Sequence, residues 1–77
     1  MLEDNNFNYT VEPTQLIDEI SSNEYYIGYS INGIDQTKNI WKIKKIIKIG
    51  TIWHFQFPQG NQTYVYTWSD RFSYPYV

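Results

Sequence analysis

Hydrophobic residues alternate with polar ones along most of the chain, and a period of two predicts β-strands. The clearest case is the stretch from Thr51 to Trp68, TIWHFQFPQGNQTYVYTW. A hairpin turning at Gln59-Gly60 would place six rings on one face of the sheet. The pairs in this register are Phe57 with Gln62, Phe55 with Tyr64, and Trp53 with Tyr66, with Trp68 following in phase. We predict that this face forms the core.

Two earlier segments also alternate. Residues 24–31 predict a strand in which Tyr25, Ile27, Tyr29 and Ile31 share one face, available to cover the rings of the hairpin. Gly28, in mid-strand, indicates a bulge or a close approach by a neighbouring backbone. A loop over about residues 32–39 follows, because Asn32-Gly33 is a strong turn dipeptide.

Residues 40–49 predict the next strand, with Trp41 and Ile43 on the inner face. Lys45 interrupts the alternation on that face, so we predict a bulge near Lys44-Lys45. The fold class is therefore mainly all-β: a small antiparallel meander that forms a curled sheet or an SH3-like barrel. The β domain is predicted over residues 25–77.

The first 24 residues differ from the rest of the chain. They read as an acidic N-terminal arm, extended at first, in which Phe7 and Tyr9 alternate. After Pro13, the apolar residues Leu16, Ile17 and Ile20 fall at helical spacing, which predicts one short helix near residues 14–20.

Composition narrows the chemistry. The chain has 77 residues, no cysteine and a single histidine, His54, so disulfides, thiolate sites and His-rich metal clusters are excluded. No nucleophile setting, glycine-rich phosphate loop or carboxylate metal loop is recognisable. We expect no enzyme activity and no cofactor, with His54 half-buried as a packing residue and Asp70-Arg71 forming a local ion pair or turn cap. No apolar run is long enough to span a membrane.

Charge is unevenly distributed. Residues 1–24 hold six Asp or Glu and no Lys or Arg, whereas residues 25–77 hold five Lys and one Arg against Asp35 and Asp70. Two interpretations stay open: the arm lies on a basic surface of this copy or of a neighbour, or both regions are simply solvated.

Two groups of residues are candidates for binding. Lysines at positions 38, 42, 44, 45 and 48 form a stripe that is typical either of single-strand nucleic-acid binding or of a solvent-facing strand. The alternating rings at the C-terminus complete the core or form an exposed strand that pairs with a neighbouring subunit. The candidate interface residues are Phe7, Tyr9, Phe72, Tyr74, Tyr76, Lys42, Lys44 and Lys48.

Several short motifs resemble those of a group of small proteins of tailed bacteriophages. They are YIGYS at 26–30, WKIKKI at 41–46, GTIW at 50–53, a turn with Gly60-Asn61, and YTWSDR at 66–71. The resemblance implies a virion-associated structural protein without enzyme activity, in which Trp68 and Arg71 fix the end of the hairpin. Ser69 stands where that group often has an acidic residue.

We therefore expect a non-enzymatic structural protein of a phage particle: a head decoration, neck or tail component. Its expected partners are other virion proteins and itself, as a homo-oligomer, and its expected location is the virion, or the host cytoplasm during assembly. Nucleic acid is a less favoured partner and a membrane is not expected. The alternatives are a small barrel that binds single-stranded nucleic acid and a phage-encoded inhibitor of a host protein.

Overall fold

Residues 13–77 are described by a computed structural model, and they form one antiparallel sheet and a short 3-10 helix. The strands are β1 (Thr14–Ser21), β2 (Glu24–Ser30), β3 (Asn39–Ile49), β4 (Ile52–Gln56) and β5 (Tyr66–Thr67), and the helix η1 spans Trp68–Ser73. The spatial order is β1-β2-β3-β4, with β5 paired to β3. The predicted all-β meander is confirmed, and it is an open sheet rather than a closed barrel.

The helix predicted near residues 14–20 is wrong, because this segment is strand β1. It pairs with β2 in a register that matches Ile17 with Ile27 and Asp18 with Tyr26. Leu16 and Asp18 turn towards the core side while Ile17 is 62% exposed, so the burial follows a period of two. Pairing with a neighbouring strand therefore overrides the helical spacing of three isolated apolar residues.

The predicted hairpin over 51–68 is also wrong. β4 turns back at Gly50-Thr51 and pairs with β3, matching Ile46 with Phe55. β5 pairs with the other end of β3, where Trp41 lies opposite Tyr66. The physical reason is the length of β3, whose 11 residues offer one edge long enough for both segments.

A turn does occur at Gln59-Gly60, and both residues have positive φ. It does not join two paired strands. Phe57 instead exchanges two backbone hydrogen bonds with Val77, at 3.0 and 3.1 Å, and Pro58 forms a β-bridge with Tyr76. The C-terminal tail therefore takes the place beside residues 57–59 that the sequence assigned to the second half of a hairpin.

The core lies on one side of the sheet, hereafter the covered face. Its buried hydrophobic side chains are Tyr26, Trp41, Ile43, Tyr66 and Trp68. The inner face of β2 is thus opposite to the one predicted, because Tyr26, Gly28 and Ser30 are buried whereas Tyr25, Ile27 and Tyr29 are only half-buried.

Gly28 explains this choice of face. A Cβ at this position would lie 2.5 Å from Cε3 of Trp68 and 3.1 Å from Cε3 of Trp41. The close approach predicted at Gly28 is therefore made by tryptophan rings and not by a neighbouring backbone or through a bulge. The rings of Trp41 and Trp68 pack against each other with their centroids 6.0 Å apart.

The bulge predicted near Lys44-Lys45 is wrong as well. β3 pairs without interruption with β2 from Lys42 to Ile47 and with β4 from Lys45 to Ile49. Lys45 consequently stays on the covered face, where its ammonium lies 3.7 Å from the Glu24 carboxylate and 5.8 Å from the centre of the Tyr26 ring. A salt bridge and a cation–π contact let a lysine occupy the inner face at the edge of the core.

The loop predicted over about residues 32–39 is confirmed, since no strand occurs between Ser30 and Asn39. Asp35 organises this loop: its carboxylate accepts hydrogen bonds from the backbone N–H and the hydroxyl of Thr37, at 3.0 and 2.6 Å. Its carbonyl accepts one from Nε1 of Trp41 at 3.0 Å. The loop thereby satisfies the polar atom of a fully buried tryptophan.

η1 is fixed to the sheet by Arg71. The guanidinium donates to Oδ2 of Asp18 on β1 at 2.8 and 3.1 Å and to the carbonyl of Trp68 at 3.0 Å. It also lies 4.5 Å from the centre of the Trp68 ring and 4.6 Å from that of Phe72. One side chain therefore joins the first strand to the last helix, and the local ion pair predicted for Asp70-Arg71 is replaced by one with Asp18.

Candidate docking surface

The second side of the sheet, hereafter the open face, carries lysines and rings. Successive strand residues point to opposite sides, so the open face holds the residues out of phase with the core. They are Gln15, Ile17 and Glu19 on β1, Tyr25, Ile27 and Tyr29 on β2, Lys42, Lys44, Ile46 and Lys48 on β3, and Trp53 and Phe55 on β4. Within residues 13–77 no strand or helix is stacked on this face, and Ile17, Trp53 and Phe55 are exposed.

All three lysines on the open face contact aromatic rings. The ammonium of Lys42 lies 4.9 Å from the centre of the Tyr29 ring. The ammonium of Lys48 lies 5.8 Å from the centre of the Trp53 ring. Lys44 lies between them, 5.6 Å from Tyr29 and 5.4 Å from Phe55. These distances are typical of cation–π pairs, which hold the lysine stems flat on the sheet.

The open face carries mostly positive charge. Glu19 is the one acidic residue among its members named above, against three lysines. The ion pairs within the described part of the chain are Lys45 with Glu24 and Arg71 with Asp18, and both belong to the covered face. Lys42, Lys44 and Lys48 have no carboxylate within 4.0 Å among residues 13–77.

The far end of β3 and the whole of β4 form a hairpin that extends beyond the core; we name residues 46–56 the projecting hairpin. Ile49 and Ile52 are 56% and 62% exposed on its covered-face side, and Trp53 and Phe55 are exposed on the open face. Every residue from Ile52 to Phe55 is exposed. The hairpin thus presents apolar side chains on both sides.

The outer edge of β4 is a further feature of this end of the sheet. β4 ends the strand order, and no strand within the described residues pairs with its outer edge. β4 reads IWHFQ, without Lys, Arg, Asp, Glu or Pro, which are the residues that usually protect an edge strand from pairing with another chain. Backbone donors and acceptors and an apolar surface therefore coincide at one edge.

The predicted interface residues fall into separate places. Lys42, Lys44 and Lys48 lie together on the open face. Phe72, Tyr74 and Tyr76 lie on the other side of the sheet, around the core. Phe7 and Tyr9 lie outside the described residues.

The C-terminal rings take part in packing. Tyr74 is half-buried, meets the Tyr66 ring edge-on at 4.9 Å, and its hydroxyl accepts a hydrogen bond from the Thr67 backbone N–H at 3.0 Å. The Tyr76 hydroxyl donates to the Arg71 carbonyl at 2.8 Å. Phe72 meets Tyr26 edge-on at 5.2 Å yet remains 61% exposed. Of the two interpretations of this segment, completion of the core describes Tyr74 and Tyr76.

The titration behaviour of two tyrosines fits this packing. Burial raises the pKa of Tyr26 above its ordinary value of 10.0, and the neighbouring Glu24 carboxylate raises it further. Burial also raises the pKa of Tyr76. In the loop, the hydrogen bonds from Thr37 lower the pKa of Asp35. The two shifted phenols lie on the covered face, where they act as neutral packing and hydrogen-bonding groups.

The sequence predicted that His54 is half-buried, but this residue is exposed on β4. The reason is that nothing among the described residues covers that end of the sheet. Within residues 13–77 no three His, Cys, Asp or Glu side chains are grouped so that they could hold a metal ion. In the same part of the chain, no helix has the length and hydrophobicity needed to cross a bilayer.

Sequence reasoning missed the rings of the open face, since it assigned Tyr25, Tyr29, Trp53 and Phe55 to the core. The signal that could have found them is the spacing of the lysines. Lys42, Lys44 and Lys48 mark the solvent side of β3, and the residues opposite them on β2 and β4 must share that side. Which residues of β2 and β4 lie opposite these lysines depends on the strand register, and the local sequence pattern does not determine that register.

No protein-family model, curated protein or solved structure matches this chain.

Proposed function

We propose that this chain is a non-catalytic docking protein that binds a neighbouring protein subunit through its projecting hairpin. The observation that carries the proposal is β4, whose residues Ile52 to Phe55 are exposed on both sides of the sheet, beside an edge with which no strand of residues 13–77 pairs. Isolated apolar residues on a surface are ordinary, but a contiguous apolar patch on a strand edge marks an interaction site.

Two kinds of contact are available to such a partner. A strand of the partner can pair with the outer edge of β4, so that backbone hydrogen bonds supply affinity. At the same time, Ile52 on one side and Trp53 and Phe55 on the other can be buried in the partner's pockets. Large aromatic side chains that become fully desolvated are the usual centres of binding energy.

We further propose that the partner belongs to a tailed-phage particle, where the chain acts as a head decoration, neck or tail component. This part of the proposal is supported by the motifs that resemble small phage proteins, including YIGYS at 26–30 and YTWSDR at 66–71. Neighbouring subunits in such a particle include further copies of this chain, so self-association is expected.

The test compares two charged substitutions at exposed isoleucines. Ile52→Lys alters the projecting hairpin, whereas Ile34→Lys alters the loop between β2 and β3, where Ile34 is 72% exposed. We expect wild type and Ile34→Lys to sediment as oligomers and to be found in purified particles by mass spectrometry, and Ile52→Lys to be monomeric and lost from particles. A wild-type chain that is monomeric and absent from particles would refute the proposal.

A second candidate function is the binding of single-stranded nucleic acid by the open face. It is favoured by the band in which Lys42, Lys44 and Lys48 alternate with Tyr29, Phe55 and Trp53. Lysines can neutralise phosphates while rings stack on bases.

This candidate has its own test, in which a fluorescent oligonucleotide is titrated at several salt concentrations. Binding should weaken steeply with salt, with a slope of about −0.7 per phosphate contact on a log–log plot. The double variant Lys42→Glu/Lys44→Glu should lose it, and the loop variant Lys38→Glu should retain it. No retention of the oligonucleotide at low salt would eliminate this candidate.

A further inference from the structure

We infer that the strand that pairs with the outer edge of β4 is β4 of a second copy of this chain. The two copies form a symmetric dimer whose two-fold axis passes between their Trp53 residues. They then share one antiparallel sheet, in which the order β1-β2-β3-β4 of one copy is followed by the reverse order of the other. This inference rests on the docking role proposed for the projecting hairpin, and it specifies the partner and the strand register.

The backbone hydrogen-bonding groups of β4 alternate in direction. Ile49 and Ile52 pair across the two-residue turn at Gly50-Thr51, and residues that flank such a turn form a hydrogen-bonded pair. The N–H and C=O groups of Trp53 and Phe55 therefore point away from β3, since the pattern alternates along an antiparallel strand. No strand within residues 13–77 pairs with them, so they are the groups that a second copy can bind.

The C-terminal tail limits the length of this edge. Phe57 continues the phase of Phe55, and its N–H and C=O groups both form hydrogen bonds with Val77. A strand that runs antiparallel to β4 must therefore turn away before it reaches the position opposite Phe57. β4 itself meets this condition, because the turn at Gly50-Thr51 directly precedes it.

These conditions select one register. In a two-fold antiparallel pair, facing residues belong to the same side of the sheet, so the axis passes through one residue of each strand. With the axis at Trp53, this residue faces its own copy and Ile52 faces His54. The turn of the second copy then ends before Val77, whereas an axis one or two residues further along β4 would place the second copy on Val77. An axis at Ile52 would leave only a turn residue to pair with Trp53.

Charge favours β4 over the other edge strand of the sheet. β4 carries no Asp, Glu, Lys or Arg, so no such charges meet across the proposed seam. β1 carries Asp18 and Glu19 near its centre, and two copies paired there would place like charges side by side. On the open face, Lys48 lies beside Trp53 in each copy. The two lysines are thus separated by both tryptophans, at about 15 Å for three strand spacings.

The contact area predicts a dimer that forms reversibly. Trp53 is 42% and Phe55 is 59% exposed, so each ring still offers about 100 Å² for burial. With Ile52, the apolar side chains of the two copies offer roughly 600 Å² before the backbone edges are counted, which is in the range of weak association. We therefore expect dimerisation that depends on concentration, and we expect it to be strengthened where copies are held close together in an assembly.

The register can be read with single cysteines, because the chain has none of its own. In the proposed dimer, Ile52 of one copy faces His54 of the other at a Cα–Cα distance of about 4.5 Å, which suits a disulfide. Two copies of Ile52, or two copies of His54, are displaced along the strands and lie about 8 Å apart, beyond the usual limit for a disulfide.

We expect an oxidised mixture of Ile52→Cys and His54→Cys to form disulfide-linked dimers several-fold faster than either variant alone. A mixture of His54→Cys with Ile34→Cys is the control for random collision, since Ile34 is an exposed isoleucine in the loop between β2 and β3, and it should react no faster than His54→Cys alone. Absence of this rate difference overturns the inference. Fastest linkage in His54→Cys alone also overturns it, because that result would place the axis at His54.

A second measurement uses the wild-type chain. In a concentrated equal mixture of isotope-labelled and unlabelled protein, we expect isotope-filtered nuclear Overhauser effects from the Ile52 methyl groups of one copy to the His54 ring of the other. Their absence overturns the inference. If Ile52→Lys still removes the chain from particles in that case, the projecting hairpin docks on a different protein and the proposed function stands. If wild type is also absent from particles, the proposed function fails as well.

Discussion

The two ends of β3 show the same kinds of side chain in opposite settings. At the beginning of the strand, Trp41 and Ile43 are fully buried beneath Trp68 and the C-terminal tail. At its end, Ile49 is exposed and pairs with the exposed β4, where Trp53 and Phe55 meet no cover within the described residues. The two ends do not differ in composition. They differ because the last ten residues of the chain pack on the beginning of β3 and not on its end. The covered end of β3 therefore stabilises the fold, and the uncovered end presents an apolar surface.

The largest effect should come from removing a ring at the covered end. Trp68→Ala should destabilise the protein by about 3–5 kcal/mol, because it opens a cavity beside Trp41 and Gly28. Trp53→Ala, at the uncovered end, should cost clearly less, about 1 kcal/mol, because this ring is 42% exposed and loses contacts with Lys48 and Tyr25 without opening a buried cavity. Urea denaturation of both variants measures the contrast, and equal losses would mean that the two ends do not differ.

Gly28→Ala should have the next largest effect, about 1–3 kcal/mol, because its Cβ would overlap the Trp68 ring. The cause can be isolated with the double variant Gly28→Ala/Trp68→Leu. Its loss of stability should be clearly less than the sum of the two single losses, since the smaller leucine leaves room for the methyl group. Additive losses would show that the ring is not what excludes a side chain at this position.

Arg71→Lys should cost about 1–2 kcal/mol, because lysine cannot reproduce the two hydrogen bonds to Asp18 or the stacking on Trp68 and Phe72. Thermal unfolding measures this loss. Lys48→Arg, at the uncovered end, is the matched exchange and should leave the melting temperature of the monomer nearly unchanged. If Arg71→Lys were equally neutral, the link between β1 and η1 would not contribute to stability.

The smallest effect on stability near neutral pH is that of Tyr76. This effect grows in alkaline solution. Because burial raises its pKa in the folded state, the unfolded chain releases this proton first as the pH rises through about 10. The contribution of the buried Tyr76 phenol to the free energy of unfolding is therefore complete below pH 10 and declines above it. Tyr76→Phe should lose less stability than wild type between neutral and alkaline pH, as followed by denaturation at a series of pH values. Parallel curves would contradict the assignment.

The sequence predicted the strand-rich character well, because alternation in β2 and β3 and the turn residues Asn32-Gly33 are local signals. It failed where two partners satisfied the same alternation. Phe55 is equally in phase with Tyr64 and with Ile46, and only the length of β3 favours the second pairing. The stripe of Lys42, Lys44 and Lys48 was visible as a candidate surface. The rings beside it were not, because the face of β2 depends on Trp68 occupying the space above Gly28, a contact across forty residues.

The most direct test of the docking role is backbone amide hydrogen exchange of β4 in the free chain and in the associated state. Pairing with a partner strand would close the outer edge of this strand. We predict that protection of the amides of residues 52–56 rises strongly on association, while protection of β2, which is already paired on both sides, stays constant. Unchanged protection of β4 in an oligomer or particle that demonstrably contains the chain would contradict it.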